Sequence, residues 1–137
     1  MNKLFSLFLF AGCYFCSNGF CGDHFVANYI NCEYDLVSDP ASIVVGFVTA
    51  CAHTEAGIKS ISEETFPDGD ITVCVIMDGA YAFAHIFSKK HHCLVDFISY
   101  KEGCSSKKFQ LFMAELLDPE ALRTVTMKRD HNISMRG

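Results

Sequence analysis

The chain has 137 residues, 50% of them hydrophobic and 20% charged, which is enough apolar side chain for one folded domain and excludes a disordered polar segment. Its net charge of -5 and pI near 5.6 exclude a surface built for nucleic acid, because phosphate binding needs clustered Lys and Arg. The basic pairs Lys89-Lys90 and Lys107-Lys108 stand apart from one another and read as solvated turn or helix surface.

Residues 1–21 differ from the rest. Lys3 supplies a positive start, Leu4 to Phe15 an apolar run of signal-peptide length, and Ser17, Asn18 and Gly19 a place for a signal peptidase to cut. The run is too short to cross a bilayer as an ordinary helix. A cleaved export signal or an N-terminal extension is expected, with Phe10-Ala11-Gly12-Cys13 loosely resembling a lipoprotein cleavage box. The alternative is a buried N-terminal strand or a start codon placed too early.

His24 to Asn31 alternates loosely and suits a strand. Ser38-Asp39-Pro40 is a helix start, a capping side chain followed by Pro, and Ile43, Val44, Phe47, Val48, Ala50 and Cys51 recur at helical spacing through Ala56. Gly57 stands where a left-handed cap is wanted. Ile58 to Thr65 reads as a strand, Phe66-Pro67-Asp68-Gly69 as a turn, and Ile71 to Met77 as a central strand buried on both faces. Asp78-Gly79 signals a two-residue hairpin between Ile71–Met77 and a strand over Ala80 to Phe87. Cys93 to Ser99 is a further strand. Ser105-Ser106 can cap a second helix, Lys107 to Leu117, whose Phe109, Phe112, Met113 and Leu116 share a face and read as core. Pro119 marks its exit, Ala121 to Met127 a last strand, and residues 131–137 a flexible tail in which Asn132-Ile133-Ser134 fits the glycosylation pattern.

The order β-α-β-β-β-β-α-β predicts an α+β, two-layer α/β sandwich: an antiparallel-rich sheet with two helices on one face. The other face needs a cover, and a second copy of the chain is the simplest one.

Of the eight cysteines, Cys13, Cys16 and Cys21 fall in the leader, leaving Cys32, Cys51, Cys74, Cys93 and Cys104. Cys13-x-x-Cys16 has no second pair at zinc-site distance, and an odd number of thiols makes no disulfide framework. Cys51 and Cys74 read as buried free thiols; a disulfide requires export. His91-His92 invites a metal reading, but adjacent strand residues point to opposite faces.

From Gly22 to Arg129 the chain resembles the small, prokaryotic-type, pyruvoyl-dependent S-adenosylmethionine decarboxylases. Gly22-Asp23-His24 is similar to the family's opening Gly-Arg/Lys-His, and Cys32 to its first-strand Cys. Glu55-Ala56-Gly57 resembles the end of its first helix, and Phe66-Pro67-Asp68-Gly69 its Phe-x-Pro-x-Gly turn. His85 matches its strand His, and Asp96-Phe97 the Asp before its aromatic-Thr-Cys-Gly segment. With His24 as anchor these fall into register without a gap. The resemblance implies a domain over residues 22–130, S-adenosylmethionine decarboxylase activity in the synthesis of spermidine and other polyamines, and a cytoplasmic location, or an exported or membrane-attached one if the leader is real. It also implies self-cleavage at a Glu-Ser bond, which leaves a pyruvoyl group as the electron sink for decarboxylation.

The departures fall on the chemistry. Gly79-Ala80-Tyr81 stands where the family has Glu-Ser-His, so Ala80 has no hydroxyl to attack a carbonyl. Tyr100 stands at the position of the family's catalytic Cys, and Cys104 would need a shifted loop to replace it. Ser88-Lys89 replaces a proline-acid turn. Ser88 and Ser99 read as free hydroxyls near the site, and neither follows a Glu. His85, a general acid/base or a satisfied strand histidine, and Phe66, which matches an adenine-stacking aromatic, survive. Tyr81 and Tyr100 read as packing residues, Asp96 as an anchor at a turn or strand end. A pseudoenzyme or regulatory homologue is therefore expected, without a cofactor of its own, as a homodimer or as a heterodimer with an active paralogue, with an S-adenosylmethionine-like ligand and no nucleic acid. An active decarboxylase using an unrecognised residue, or an exported non-catalytic binding domain, are the alternatives.

Overall fold

The computed structural model describes residues 21–33, 35, 38–101 and 104–130. The expected export signal, the lipoprotein-like box, Cys13-x-x-Cys16, the flexible tail and the Asn132 triplet lie outside them. Along the chain run β1 (Cys21–Cys32), α1 (Pro40–Ala52), β2 (Ile58–Thr65), β3 (Ile71–Met77), β4 (Ala80–Phe87), a 3-10 turn (Ser88–Lys90), β5 (His92–Ser99), α2 (Lys107–Leu117) and β6 (Pro119–Asp130). The six strands form one sheet in the order β2-β3-β4-β5-β1-β6, antiparallel at every step. This is the α+β sandwich expected from the sequence.

The ends of α1 have local causes. The Asp39 carboxylate accepts from the Ser42 N–H at 3.2 Å, and Pro40, whose missing N–H costs nothing there, opens the first turn. The helix stops at Ala52, short of the expected Ala56. The Thr54 N–H and hydroxyl both donate to the Cys51 carbonyl, at 3.1 and 2.6 Å, and close the last turn early. Glu55, at φ 66°, takes the left-handed role expected of Gly57. At the start of α2 the Ser106 side chain makes no capping bond; the Ser105 hydroxyl accepts from the Lys107 N–H instead, at 3.3 Å.

The helix-covered face carries the core. Phe109 of α2 is fully buried and meets Phe47 of α1 at 5.8 Å, Phe25 of β1 at 6.4 Å and Phe97 of β5 at 4.9 Å between ring centres. One ring thus ties both helices to the sheet. β4 contributes Ala80, Ala82 and Ala84, all buried, whose small size leaves volume for rings from neighbouring elements. The other face is open. Ile76, Phe83, Leu94, Val125 and Met127 are 37–57% exposed. β3 is therefore buried on alternate residues, not on both faces as expected, because no helix covers its second side.

Cys32, Cys51 and Cys93 are buried, whereas Cys74, expected in the core, lies half-buried on the open face; these four and Cys104 are free thiols. Burial pushes the Cys32 thiol up to about 11 and the Cys51 thiol up to about 12, the latter with help from the neighbouring Cys74. Burial also raises Cys93 and Tyr29, whose hydroxyl has no hydrogen-bond partner.

Phe109→Ala is expected to cost about 3–5 kcal/mol in urea unfolding, since it opens a cavity where four elements meet; a loss under 1 kcal/mol would show that the ring is not the hub. The thiols set the alkaline limit. A thiol raised on folding above its ordinary 9.0 favours the folded chain below pH 9, and that contribution disappears as pH passes about 11 to 12. The urea midpoint is expected to stay level up to pH 9 and then fall; a rise across that window contradicts the assignment.

Candidate functional site

Met77 pairs with Ala80 and closes the two-residue turn Asp78-Gly79, with Gly79 at φ 92°. Ala80 is 0% exposed and faces the helix layer. Tyr100, Lys101 and Cys104, which follow β5, lie against this turn. The Tyr100 N–H donates to the Gly79 carbonyl at 2.9 Å, the Lys101 ammonium lies 3.3 Å from the Asp78 carboxylate, and the Cys104 thiol donates to the Asp78 carbonyl at 3.8 Å. A Cβ placed on Gly79 would sit 2.5 Å from Lys101 Cβ and 3.2 Å from Cys104 Sγ. The Cys104 thiol thus lies against the hairpin turn. Tyr81 turns the opposite way, onto the open face, and packs at 6.3 Å from Tyr100 and edge-on at 6.2 Å to Phe83.

The second cluster lies at the far end of the same hairpin. Thr72 pairs directly with His85, and its hydroxyl is 2.6 Å from His85 Nδ1. The Asp70 carboxylate is 3.7 Å from His85 Nε2. Phe87 meets the His85 ring edge-on at 4.5 Å, and Phe66 lies 6.0 Å away. The turn before β3 sets these positions. The Phe66 N–H donates to the Asp70 carbonyl at 2.8 Å, the Asp70 N–H donates to the Asp68 carboxylate at 3.0 Å, and Gly69 supplies φ 91°. Ser88 locks the turn from the other side: its N–H donates to Asp70 at 3.1 Å and its hydroxyl to the Gly69 carbonyl at 2.7 Å. Ser88 and Ser99 are not free hydroxyls as expected. Both are buried, and the Ser99 hydroxyl accepts from the Asp23 N–H at 3.3 Å.

Phe66, Pro67, Asp68, Asp70 and His85 line an open groove of about 400 Å³. It offers an aromatic face, two carboxylates and an imidazole that is hydrogen-bonded on one side and faces a carboxylate on the other. Such a set suits a flat ring carrying positive charge, and places a proton donor or acceptor beside it. The sequence reading found His85 and Phe66 but missed Thr72. Counting back from the Asp78-Gly79 turn would have put Thr72 opposite His85.

The structure does not bring all the expected residues together. Ala80 and Tyr100 sit at one end of β4 and His85 at the other, five residues or roughly 16 Å along the strand. Between them the His24 Nε2 and Asp96 carboxylate pair at 2.8 Å, so Asp96 is a mid-strand partner and not an end anchor. His91, at φ 54°, is a turn residue, not a strand residue as expected, and His92 accepts from the Asn31 N–H at 3.2 Å. Among the described residues no three His, Cys, Asp or Glu side chains group as metal ligands.

The two turn glycines separate backbone strain from crowding. Gly69→Ala, at φ 91° with open space around it, is expected to cost about 1–2 kcal/mol in urea unfolding. Gly79→Ala is expected to cost more, because Lys101 must also move, and Lys101→Gly should recover the difference. Equal costs at the two positions would mean that Lys101 does not cover the turn.

The profile of the family described as S-adenosylmethionine decarboxylase matches residues 23–130. The crystal structure of the adenosylmethionine decarboxylase from Aquifex aeolicus VF5 superposes with a TM-score of 0.71 at 14% identity, over 80% of this chain and 91% of that one. The Trypanosoma brucei AdoMetDC-delta26 monomer superposes with a TM-score of 0.55 at 10% identity, over 76% of this chain and 45% of that one. No curated protein sequence matches. The family match spans most of the chain, and both superpositions show the same fold; the chain belongs to the S-adenosylmethionine decarboxylase family.

Proposed function

We propose that the chain keeps the decarboxylase scaffold without making the pyruvoyl group, and acts as a pseudoenzyme or regulatory homologue in polyamine synthesis. The observation that carries this reading is the state of the processing turn. Residue 80 is a methyl group sealed in the core, with no oxygen to attack the preceding carbonyl. Residue 79 is a left-handed glycine with Lys101 packed where a side chain would begin. A Glu at 79, as the self-cleaving members have, is thus opposed by backbone and by packing together.

The ligand is proposed to be S-adenosylmethionine-like, held in the groove by Phe66 against its adenine, with Asp68 and Asp70 facing its positive charge. The open face is proposed to dock onto a second chain, either a copy of itself or an active paralogue. Two features support this: its row of exposed apolar residues, and the 16 Å or so separating the His85 end of β4 from the Ala80 end, so that a site using both needs two chains.

Intact mass of the purified protein is expected to show a chain unbroken between Gly79 and Ala80, and Ala80→Ser alone is expected to leave it unbroken. Two fragments with a keto-blocked terminus at residue 80, and loss of carbon dioxide from S-adenosylmethionine that hydroxylamine stops, would instead establish an active enzyme. For the ligand, calorimetry with S-adenosylmethionine is expected to show binding that Phe66→Ala weakens about five- to tenfold, the size of one lost ring stack. Binding unchanged by that substitution removes Phe66 from the site.

A further inference from the structure

The helix-covered side of the sheet carries a second cavity, distinct from the groove at His85. Thr65 of β2 pairs with Ile71 and Glu63 with Val73, and both β3 partners are buried against the helices. Directly opposed side chains share a face, so those of Glu63 and Thr65 lie on the helix side too. α1 packs on β3 and leaves β2 exposed along almost its whole length. Between the start of α1 and that uncovered strand lies a cavity of about 310 Å³, within the range of small-molecule sites, roughly 300–1,000 Å³. Pro40, Ala41 and Ile71 give it an apolar wall, and Glu63, Asp68 and Lys89 border it with charge.

These charges do not cancel one another. Among the described residues Glu63 and Lys89 have no side-chain partner, and no ion pair joins Lys89 to either carboxylate. Asp68 accepts the Asp70 N–H at 3.0 Å with one carboxylate oxygen and keeps the other. The neighbouring Lys90 ammonium is held over the Phe87 ring, 5.6 Å from its centre, and the Asp39 carboxylate at the start of α1 is engaged by the Ser42 N–H and hydroxyl. Ser88, buried and bonded to Gly69 and Asp70, fixes the backbone that carries Lys89.

We propose that this cavity binds a free basic α-amino acid of about the size of lysine. Two carboxylates and one ammonium are complementary to a ligand with two cationic groups and one carboxylate. Lys89 takes the ligand's carboxylate, Glu63 and Asp68 take its two cations, and the methylene stem lies on Pro40, Ala41 and Ile71. A diamine leaves Lys89 unanswered, and an amino acid with a neutral side chain leaves one carboxylate unanswered. Each such mismatch desolvates a charge without pairing it, which is how a site rejects a near relative of its ligand. Asp68 borders both this cavity and the groove, but the proposal does not rest on the ligand placed in the groove.

Calorimetry of the full chain at low salt with L-lysine, L-norleucine and cadaverine tests it, since the last two are lysine without its side-chain amine and without its carboxylate. L-lysine is expected to bind at least about tenfold tighter than either. Lys89→Ala is expected to weaken L-lysine to the level of cadaverine, and Glu63→Gln to weaken it toward that of L-norleucine. Phe66→Ala, in the groove, is expected to leave L-lysine binding unchanged. A parent that binds none of the three, or binds cadaverine as well as lysine, overturns the proposal; the latter describes an acidic surface that attracts any cation. Norleucine binding equal to lysine, or binding indifferent to both cavity variants, overturns it as well. Loss with Phe66→Ala puts the ligand in the groove instead. Should a cavity variant fail to fold, amide shifts in the parent decide: lysine is expected to move Ala41, Thr65 and Lys89, and shifts centred on Thr72 and His85 count against the cavity.

Discussion

A two-residue turn, Asp78-Gly79, holds Met77 opposite Ala80, and that single pairing sets the face of every side chain in β3 and β4. It sends Ala80, Ala82, Ala84 and Ile86 into the core and Tyr81, Phe83, His85 and Phe87 onto the open face. It also puts Thr72 against His85. Because strand side chains alternate, a slip of one residue would expose the alanines, bury the histidine and break the Thr72 contact together. The turn cannot slip easily. Its second residue needs a left-handed backbone that glycine adopts without strain, and the Tyr100 N–H and the Lys101 and Cys104 side chains hold it from outside.

The fold was legible in the sequence wherever local chemistry decides. Asp78-Gly79 between two β-branched or aromatic runs, Asp39-Pro40 ahead of a helical repeat, and Phe109, Met113 and their neighbours on one face each state their own structure. The misses fall where tertiary context decides. Thr54 ends α1 before Gly57 can, and nothing in Ala52 to Gly57 announces which side chain will cap. β3 reads as doubly buried because Ile71 to Met77 is apolar throughout, but the helices cover only one side. Its exposed residues are apolar because the open face is.

The site was half legible, for a related reason. His85 and Phe66 were found by resemblance, residue by residue, and that method has no access to a partner across a hairpin. Thr72, Asp70 and Ser88 belong to the cluster through strand pairing and turn bonds, which become visible only once the register is known. Cys104 stands four residues beyond Tyr100 in the sequence, and only the fold shows its thiol against the hairpin.

The two ends of the hairpin are built differently. At the Ala80 end the residue is a buried methyl group, and Lys101 occupies the volume a residue-79 side chain needs. At the His85 end imidazole, hydroxyl and carboxylate lie within reach of one another, with an aromatic ring beside them. A partly exposed Thr-His-Asp cluster carries the cost of orienting three polar groups, whereas Val and Leu would fill the same surface without it. That cost, beside a processing turn sealed in the core, is the physical ground for placing the proposed ligand in the groove and not at the turn.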